Sequence, residues 1–330
     1  MTTASRPTIL DVAKRSGVSK STVSNVIRGT VGVSPEMRSR VLAAVEELGY
    51  RPNALARQLV QQRTSTIGVV VGDLANPFYG ELVKLLERRA HLRGFTTMVA
   101  NTDGHPEREA ARIEALLERR VAGIAMLQFG GDRSILDELI ADGVPLAVVS
   151  STDPRVDSVG VDESRGVGLA VEHLAGLGHR RLAYVTSPLV EERTNAARHE
   201  SFARACRRAG CEQSTLGFGD ALPAGVTGFA AANDMIAIGL VERLERSGAS
   251  VPGDVSVVGF DGIGVGALAR IGLTTVAQPH EELAEAGLRL LLERIESGPI
   301  PPPRRILLEP QLVVRTSTGP RTEGSRDGNH

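Results

Sequence analysis

Residues 8–52 read TILDVAKRSGVSKSTVSNVIRGTVGVSPEMRSRVLAAVEELGYRP, and their order of polar, apolar and turn-forming residues spells two short helices, a tight turn between them and a third helix. Thr8 stands one position before an apolar run (Ile9, Val12, Ala13), and Asp11 lies three residues after it, so hydroxyl and carboxylate can cap each other's free amides. Gly17 suits a turn that needs positive φ. Ser19 then caps a second helix, Lys20 to Ile27, in which Thr22, Val23, Val26 and Ile27 share the inward face. Lys20, Ser21, Ser24 and Asn25 are left outward, and these donor-bearing or short polar side chains can reach base edges in a major groove. This is the layout of a helix-turn-helix DNA-binding head. The plainer alternative is a three-helix bundle with a solvated polar face.

Charge separates this head from the rest. Residues 1–63 carry ten Lys or Arg against four acids, leaving 28 against 35 of the chain's totals of 38 and 39 for the remainder. A basic head on an acidic body suits a phosphate-contacting module whose affinity falls with salt. The 330 residues can bury two or three domains' worth of core. Hydrophobic and charged fractions of 42% and 23% describe an ordinary globular protein. No apolar run approaches the roughly 20 residues that span a bilayer. Residues 1–6 lead straight into the first capped helix without a secretory signal, so a cytoplasmic protein with no membrane partner is expected. Cys206 and Cys211 read as free thiols in a reducing compartment rather than a metal site.

The segment from Pro52 to Val60 is a short helix former that could order only against something else, since isolated helices under about 12 residues are marginal. Were two copies to meet on DNA, Leu59 could wedge between base steps in the minor groove; the alternative is a flexible tether. Beyond Thr64, short apolar runs (67–71, 96–100, 123–127, 146–150) alternate with helical stretches (79–92, 107–119, 132–141). A second set follows, with strands at 182–186, 228–232 and 256–260 and helices at 196–209, 235–247 and 281–296. Such alternation implies an α/β body of two doubly wound lobes of parallel strands, with a ligand cleft beyond the strands' carboxyl ends. The glycines at 166 and 168, and at 262, 264 and 266, do not form a dinucleotide loop. His173 and His179 lack metal-ligand spacing, and no catalytic triad is signalled. A non-enzyme without cofactor or metal is expected.

Nine blocks in order resemble the lactose/galactose repressor (LacI/GalR) family of bacterial transcription regulators: DVAKRSGVSKSTVS (11–24), LGYRPNALARQL (48–59), IGVVVGDLANPF (67–78), HLAGLGHRRLAYV (173–185), the Arg198-x-x-x-Phe202 pair, AANDMIAIG (231–239), VPGDVSVVGFDG (251–262), LTTVAQP (273–279) and LVVRTST (312–318). The resemblance implies a homodimeric repressor on a palindromic double-stranded operator, with two lobes of periplasmic-binding-protein type and a sugar-like small-molecule effector. It divides the chain into a head (1–52), a hinge helix (53–63), an effector-binding and dimerisation body and a disordered tail (320–330). The body runs over 64–319, with a near lobe (64–160 and 279–307) and a far lobe (161–278 and 308–319).

Carried onto this chain, the implied DNA contacts are Thr8, Ser19, Lys20, Ser21, Thr22, Ser24, Asn25 and Arg28 of the head, with Asn53, Ala56 and the wedge Leu59 of the hinge. Asn25 stands where many members have arginine and Arg28 where they usually have asparagine, which leaves half-site preference open. The implied effector contacts are Asp73, Asn76 and Phe78 from the near lobe, and Arg198, Asn233, Asp261 and Gln278 from the far lobe and crossover. Arginine, carboxylate and carboxamide fit a polyol. Each has a plainer role: Asn233 and Asp234 could cap the helix at Met235, and Arg198 could pair with a surface acid. The helices at 78–92 and 281–296 are implied at the dimer face. One departure stands out: where the family carries a longer segment with a strand, a loop and a helix, 211–227 is short, glycine-rich and without a helical period. A missing helix would uncover apolar sheet and remove a cleft wall that Phe218 could partly replace. A cytosolic sugar sensor with a vestigial head, a regulator deaf to effector, and a nucleotide-dependent sugar enzyme remain alternatives.

Overall fold

A computed structural model describes residues 7–27, 32–50, 64–127, 134–187, 192–297 and 302–321. Residues up to Thr64 and from Ser65 onward form two separate compact units. The first holds α1 (Ile9–Ser16), α2 (Lys20–Ile27) and α3 (Pro35–Glu47). Thr8 and Asp11 form the reciprocal cap that their spacing predicts, with the Thr8 amide donating to the carboxylate at 2.7 Å. Gly17 closes α1 at φ 67, and a Cβ there would also meet the Arg40 guanidinium 2.6 Å away. That guanidinium donates to the Ser16 carbonyl at the end of α1. Val12, Val23, Val26, Val41 and Ala44 are buried together, so each helix places an apolar stripe on one small core.

The second unit carries two six-stranded sheets. One is ordered β11-β5-β4-β3-β1-β2, with β1 (Thr66–Val71), β2 (Thr96–Asn101), β3 (Ile124–Met126), β4 (Leu146–Val149), β5 (Asp157–Val161) and β11 (Arg305–Leu308), all parallel. The other is ordered β12-β10-β9-β8-β6-β7, with β6 (Arg181–Thr186), β7 (Glu212–Gly217), β8 (Gly228–Ala231), β9 (Ser256–Asp261), β10 (Thr274–Ala277) and β12 (Gln311–Val313). Only β12 runs antiparallel to its neighbour in that sheet. The helices α4 (Pro77–Leu92), α5 (Pro106–Glu118), α6 (Ser134–Ala141) and α10 (His280–Glu296) belong with the first sheet; α7 (Glu163–Gly176), α8 (Glu192–Ala209) and α9 (Asp234–Arg246) belong with the second. The chain passes between lobes after β5, after β10 and after β11. No helix among the described residues is long and apolar enough to cross a membrane.

Several elements lie outside the sequence reading, each for a physical reason. Helix α7 contains Gly166 and Gly168, poor helix formers. A Cβ on Gly166 would sit 2.8 Å from the Phe260 ring, so the glycine is there for close packing on the sheet. Strand β5 opens on Asp157, whose buried carboxylate accepts from Arg294 Nε (2.7 Å) and Nη2 (2.8 Å) and from the Arg304 amide (2.7 Å). That knot ties α10 and β11, both late in the chain, to β5. Strand β7 is a polar edge strand.

Between β7 and β8 no helix occurs, as the shortened segment predicts, but the apolar exposure expected from its loss does not follow. The uncovered face of β7 carries Gln213 and Thr215, both exposed, while Leu216 on the other face is buried. Leu222 and Val226 of the connecting strap pack onto the main core. Arg243 of α9 anchors the strap by donating to the Phe218 and Asp220 carbonyls.

Candidate functional site

In the headpiece, the start of α2 presents a cluster of hydroxyls. Ser19 Oγ lies 2.7 Å from Ser21 Oγ and 2.8 Å from Thr22 Oγ1, and accepts from the Thr22 amide at 3.1 Å. Lys20, Ser21 and Asn25 are exposed and Thr22 and Ser24 half-buried, while Val23 and Val26 point into the core. The helix start thus offers a cation, hydroxyls and a positive dipole end on one surface. Thr8 is exposed, but its side chain is engaged with Asp11. Arg28, Asn53, Ala56 and Leu59 lie outside the described residues, as do 322–330 of the tail.

In the body a cavity of about 320 Å³ opens where the strands end. Asp73 follows β1, Leu127 β3, Ser150 β4, Ser187 β6, Phe218 β7, Asn233 β8 and Gln278 β10, and Asp261 closes β9; all line it. Every one of these sits at the carboxyl end of a parallel strand, where such sheets place ligands because the loops diverge there. All seven of the body residues singled out from sequence (Asp73, Asn76, Phe78, Arg198, Asn233, Asp261 and Gln278) share this wall. Ser150 and Asp261 hold positive φ (74° and 122°), a strained backbone that their surroundings must enforce.

The side chains are already partly committed. Asn76 caps α4 through the Phe78 amide (3.1 Å), and Asn233 caps α9 through the Ile236 amide (2.8 Å), the plainer role foreseen for it. Asp234, fully buried, accepts from the Gly262 and Ile263 amides at 2.8 Å and from Thr275 Oγ1 at 2.5 Å; burial nevertheless pushes it up to about 6. Arg198 is 5% exposed and donates to Glu163, to the Ala232 carbonyl, and stacks over Phe260 at 3.7 Å. Its partner is thus a half-buried acid of α7 rather than a surface one. Asp261 accepts from Gln278 Nε2 at 2.8 Å, and burial pushes its carboxyl up to about 8 against the pull of Arg198. Gln278 Oε1 is buried without a hydrogen-bond partner.

His280, missed by the sequence reading, joins the lobes beside this cavity. Its Nε2 lies 2.8 Å from the Asp261 carbonyl, its Nδ1 3.3 Å from Glu81 of α4, and its ring meets Phe78 edge-on at 5.1 Å. Phe218 lines the cavity and lies over Gly239, where a Cβ would approach its ring to 2.7 Å. Phe218 thus belongs to the cavity wall and to the packing on α9 at once. His179 bonds Thr227 and Ser256, both at 2.9 Å, and serves the core. Cys206 and Cys211 are buried free thiols, Cys206 pushed up by burial to about 12. Among the described residues no cluster of metal-ligating side chains occurs.

Comparison with known proteins agrees with this geometry. Residues 8–53 match the bacterial regulatory proteins of the lacI family. Residues 64–220 match the periplasmic binding proteins and sugar binding domain of the LacI family, and 171–318 a periplasmic binding protein-like domain. The HTH-type transcriptional regulator DegA of Bacillus subtilis is 33% identical over 96% of this chain and 99% of its own length. The ribose operon repressor of Escherichia coli K12 is 33% identical over 94% of this chain and 99% of its own. The lac repressor dimer bound to operator and the anti-inducer ONPF superposes with a TM-score of 0.84 at 28% identity, over 96% of this chain and 100% of that one.

Proposed function

The chain belongs to the LacI family of bacterial regulatory proteins, and from that premise we propose that it represses transcription as a cytoplasmic homodimer whose hold on a palindromic operator is set by a small polyol in the interlobe cavity. It is a DNA-binding regulator, not an enzyme. Lys20, Ser21 and Asn25 read base edges, Ser19, Thr22 and Ser24 order the helix start around them, and Arg28, Asn53, Ala56 and Leu59 complete the DNA contact. Asp73, Asn76, Phe78, Arg198, Asn233, Asp261 and Gln278 surround the effector. The observation carrying this reading is that seven polar and aromatic groups from both lobes and a crossover converge on one cavity. Effector and operator are then coupled through lobe arrangement, with about 1–3 kcal/mol of coupling expected.

Fluorescence anisotropy on palindromic duplexes from the gene's own upstream region tests the proposal, with and without added sugars. Expected are salt-sensitive binding, with log Kd linear in log salt, and a severalfold affinity change with one sugar. Salt-insensitive or absent binding to every palindrome would refute the regulator's DNA role.

A further inference from the structure

The cavity's charge pattern says more about its ligand than its shape does. Among the described residues lining it, Arg198 is the cation, and it is already neutralised. Its Nε donates to Glu163 Oε2 at 2.6 Å, Nη2 to Oε1 at 3.1 Å and Nη1 to the Ala232 carbonyl. One face of the guanidinium lies on Phe260. The fork that would grip a phosphate or carboxylate in a bidentate pair is thus filled from behind by a carboxylate of the chain itself. Glu163 stands on α7 and does not line this cavity, so it acts on a ligand only through Arg198.

The rest of the described wall offers an anion hydroxyl and carboxamide donors but no second cation. Asp73 and Asp261 are carboxyls, and burial pushes Asp261 up to about 8. Gln278 is 6% exposed and its Oε1 has no hydrogen-bond partner, an acceptor waiting for an O–H or N–H. An unpaired buried acceptor costs about 1–3 kcal/mol, which a donating ligand would recover. Phe78 and Phe218 add aromatic surface for the apolar face of a sugar ring.

We propose that Glu163 is a positioning residue that sets the charge preference of this cavity: by occupying Arg198 it makes the cleft accept an uncharged polyol and reject the phosphorylated or carboxylated form of the same molecule. The inference rests on the effector reading above and adds the class of effector. Its test is calorimetric titration of the full-length chain with pentoses and hexoses, each beside its own phosphate and its own aldonate.

The expected result is that any sugar that binds does so at least tenfold more tightly than its anionic counterparts. Glu163→Gln, which removes the charge that neutralises Arg198, narrows that ratio below threefold or reverses it, while Glu163→Asp keeps it. A merely structural role would lower all affinities together. Wild-type protein that binds an anion as tightly as its parent sugar, or a folded Glu163→Gln variant with an unchanged ratio, overturns the inference and leaves the effector reading standing. If no sugar, phosphate or aldonate binds, the effector reading itself fails and takes this inference with it. Should Glu163→Gln not fold by circular dichroism, the wild-type ratio alone decides.

Discussion

Replacing Asp157 with Asn should destabilise the two-lobe body by about 2 kcal/mol at neutral pH, and by less as the solution is acidified. The Asp157 side chain is fully buried, with Arg294 (8% exposed) and Arg304 (40% exposed) against it. Burial by itself would raise the carboxyl, but hydrogen bonds from Arg294 and Arg304 outweigh it and hold the group at about 2, against an ordinary 3.8. At about 1.4 kcal/mol per pH unit, that depression is worth about 2 kcal/mol. The figure lies below the roughly 3–5 kcal/mol for breaking a fully buried pair. The reason is that Arg304 is half in solvent and keeps Glu293 as a second partner. A depressed folded-state value means that the stabilisation is fully present above 3.8 and is lost as pH falls through about 2. Urea unfolding of wild type and Asp157→Asn at pH 7, 5 and 3 measures the difference. It should be the same at pH 7 and 5 and fall to about half at pH 3. An equal difference at pH 3 and pH 7 would refute the charge-based account and leave only a packing effect.

Four further outcomes are expected. Asp261→Asn has the opposite sign: burial raises the folded-state value to about 8, so wild-type stability is lost as pH rises from about 4 towards 8, and the variant should be the more stable of the two at pH 8 and indistinguishable below pH 4 by thermal melts. Phe218→Ala should cost about 1–2 kcal/mol, because the ring is 37% exposed yet lies over Gly239, and urea titration showing no loss would mean that the strap does not depend on it. Lys20→Ala should weaken all duplexes alike and lower the salt slope by about one, whereas Ser21→Ala should reduce discrimination between operator and random DNA; anisotropy across a salt series separates the two.

What could be read from sequence is what short-range chemistry decides. The Thr8–Asp11 cap, the positive φ of Gly17 and the inward pair Val23 and Val26 depend on residues within one or two helical turns, so spacing reveals them. The alternation of strands and helices is equally local. Elements that escaped are those whose residues answer to distant partners. Glycine in α7 looks like a helix breaker until Phe260 is seen beneath it, and Asp157 looks wrong for a buried strand until Arg294 and Arg304 arrive from the far end of the chain. Strand β7 is polar because no helix covers one of its faces.

The sequence by itself determined that this chain pairs a basic helix-turn-helix head with an α/β body, because caps, turn glycines and hydrophobic period act over a few residues. It also pointed to seven of the groups that line the cavity, through resemblance and through their places at strand ends. Only the tertiary structure decided what those groups are free to do. Arg198 meets a carboxylate 35 positions away, Gln278 is left with an open acceptor, and His280 spans from Asp261 to Glu81. Such pairings arise when crossovers bring strand ends together and exclude water, and no local pattern encodes which charge will be neutralised there and which will be left for a ligand.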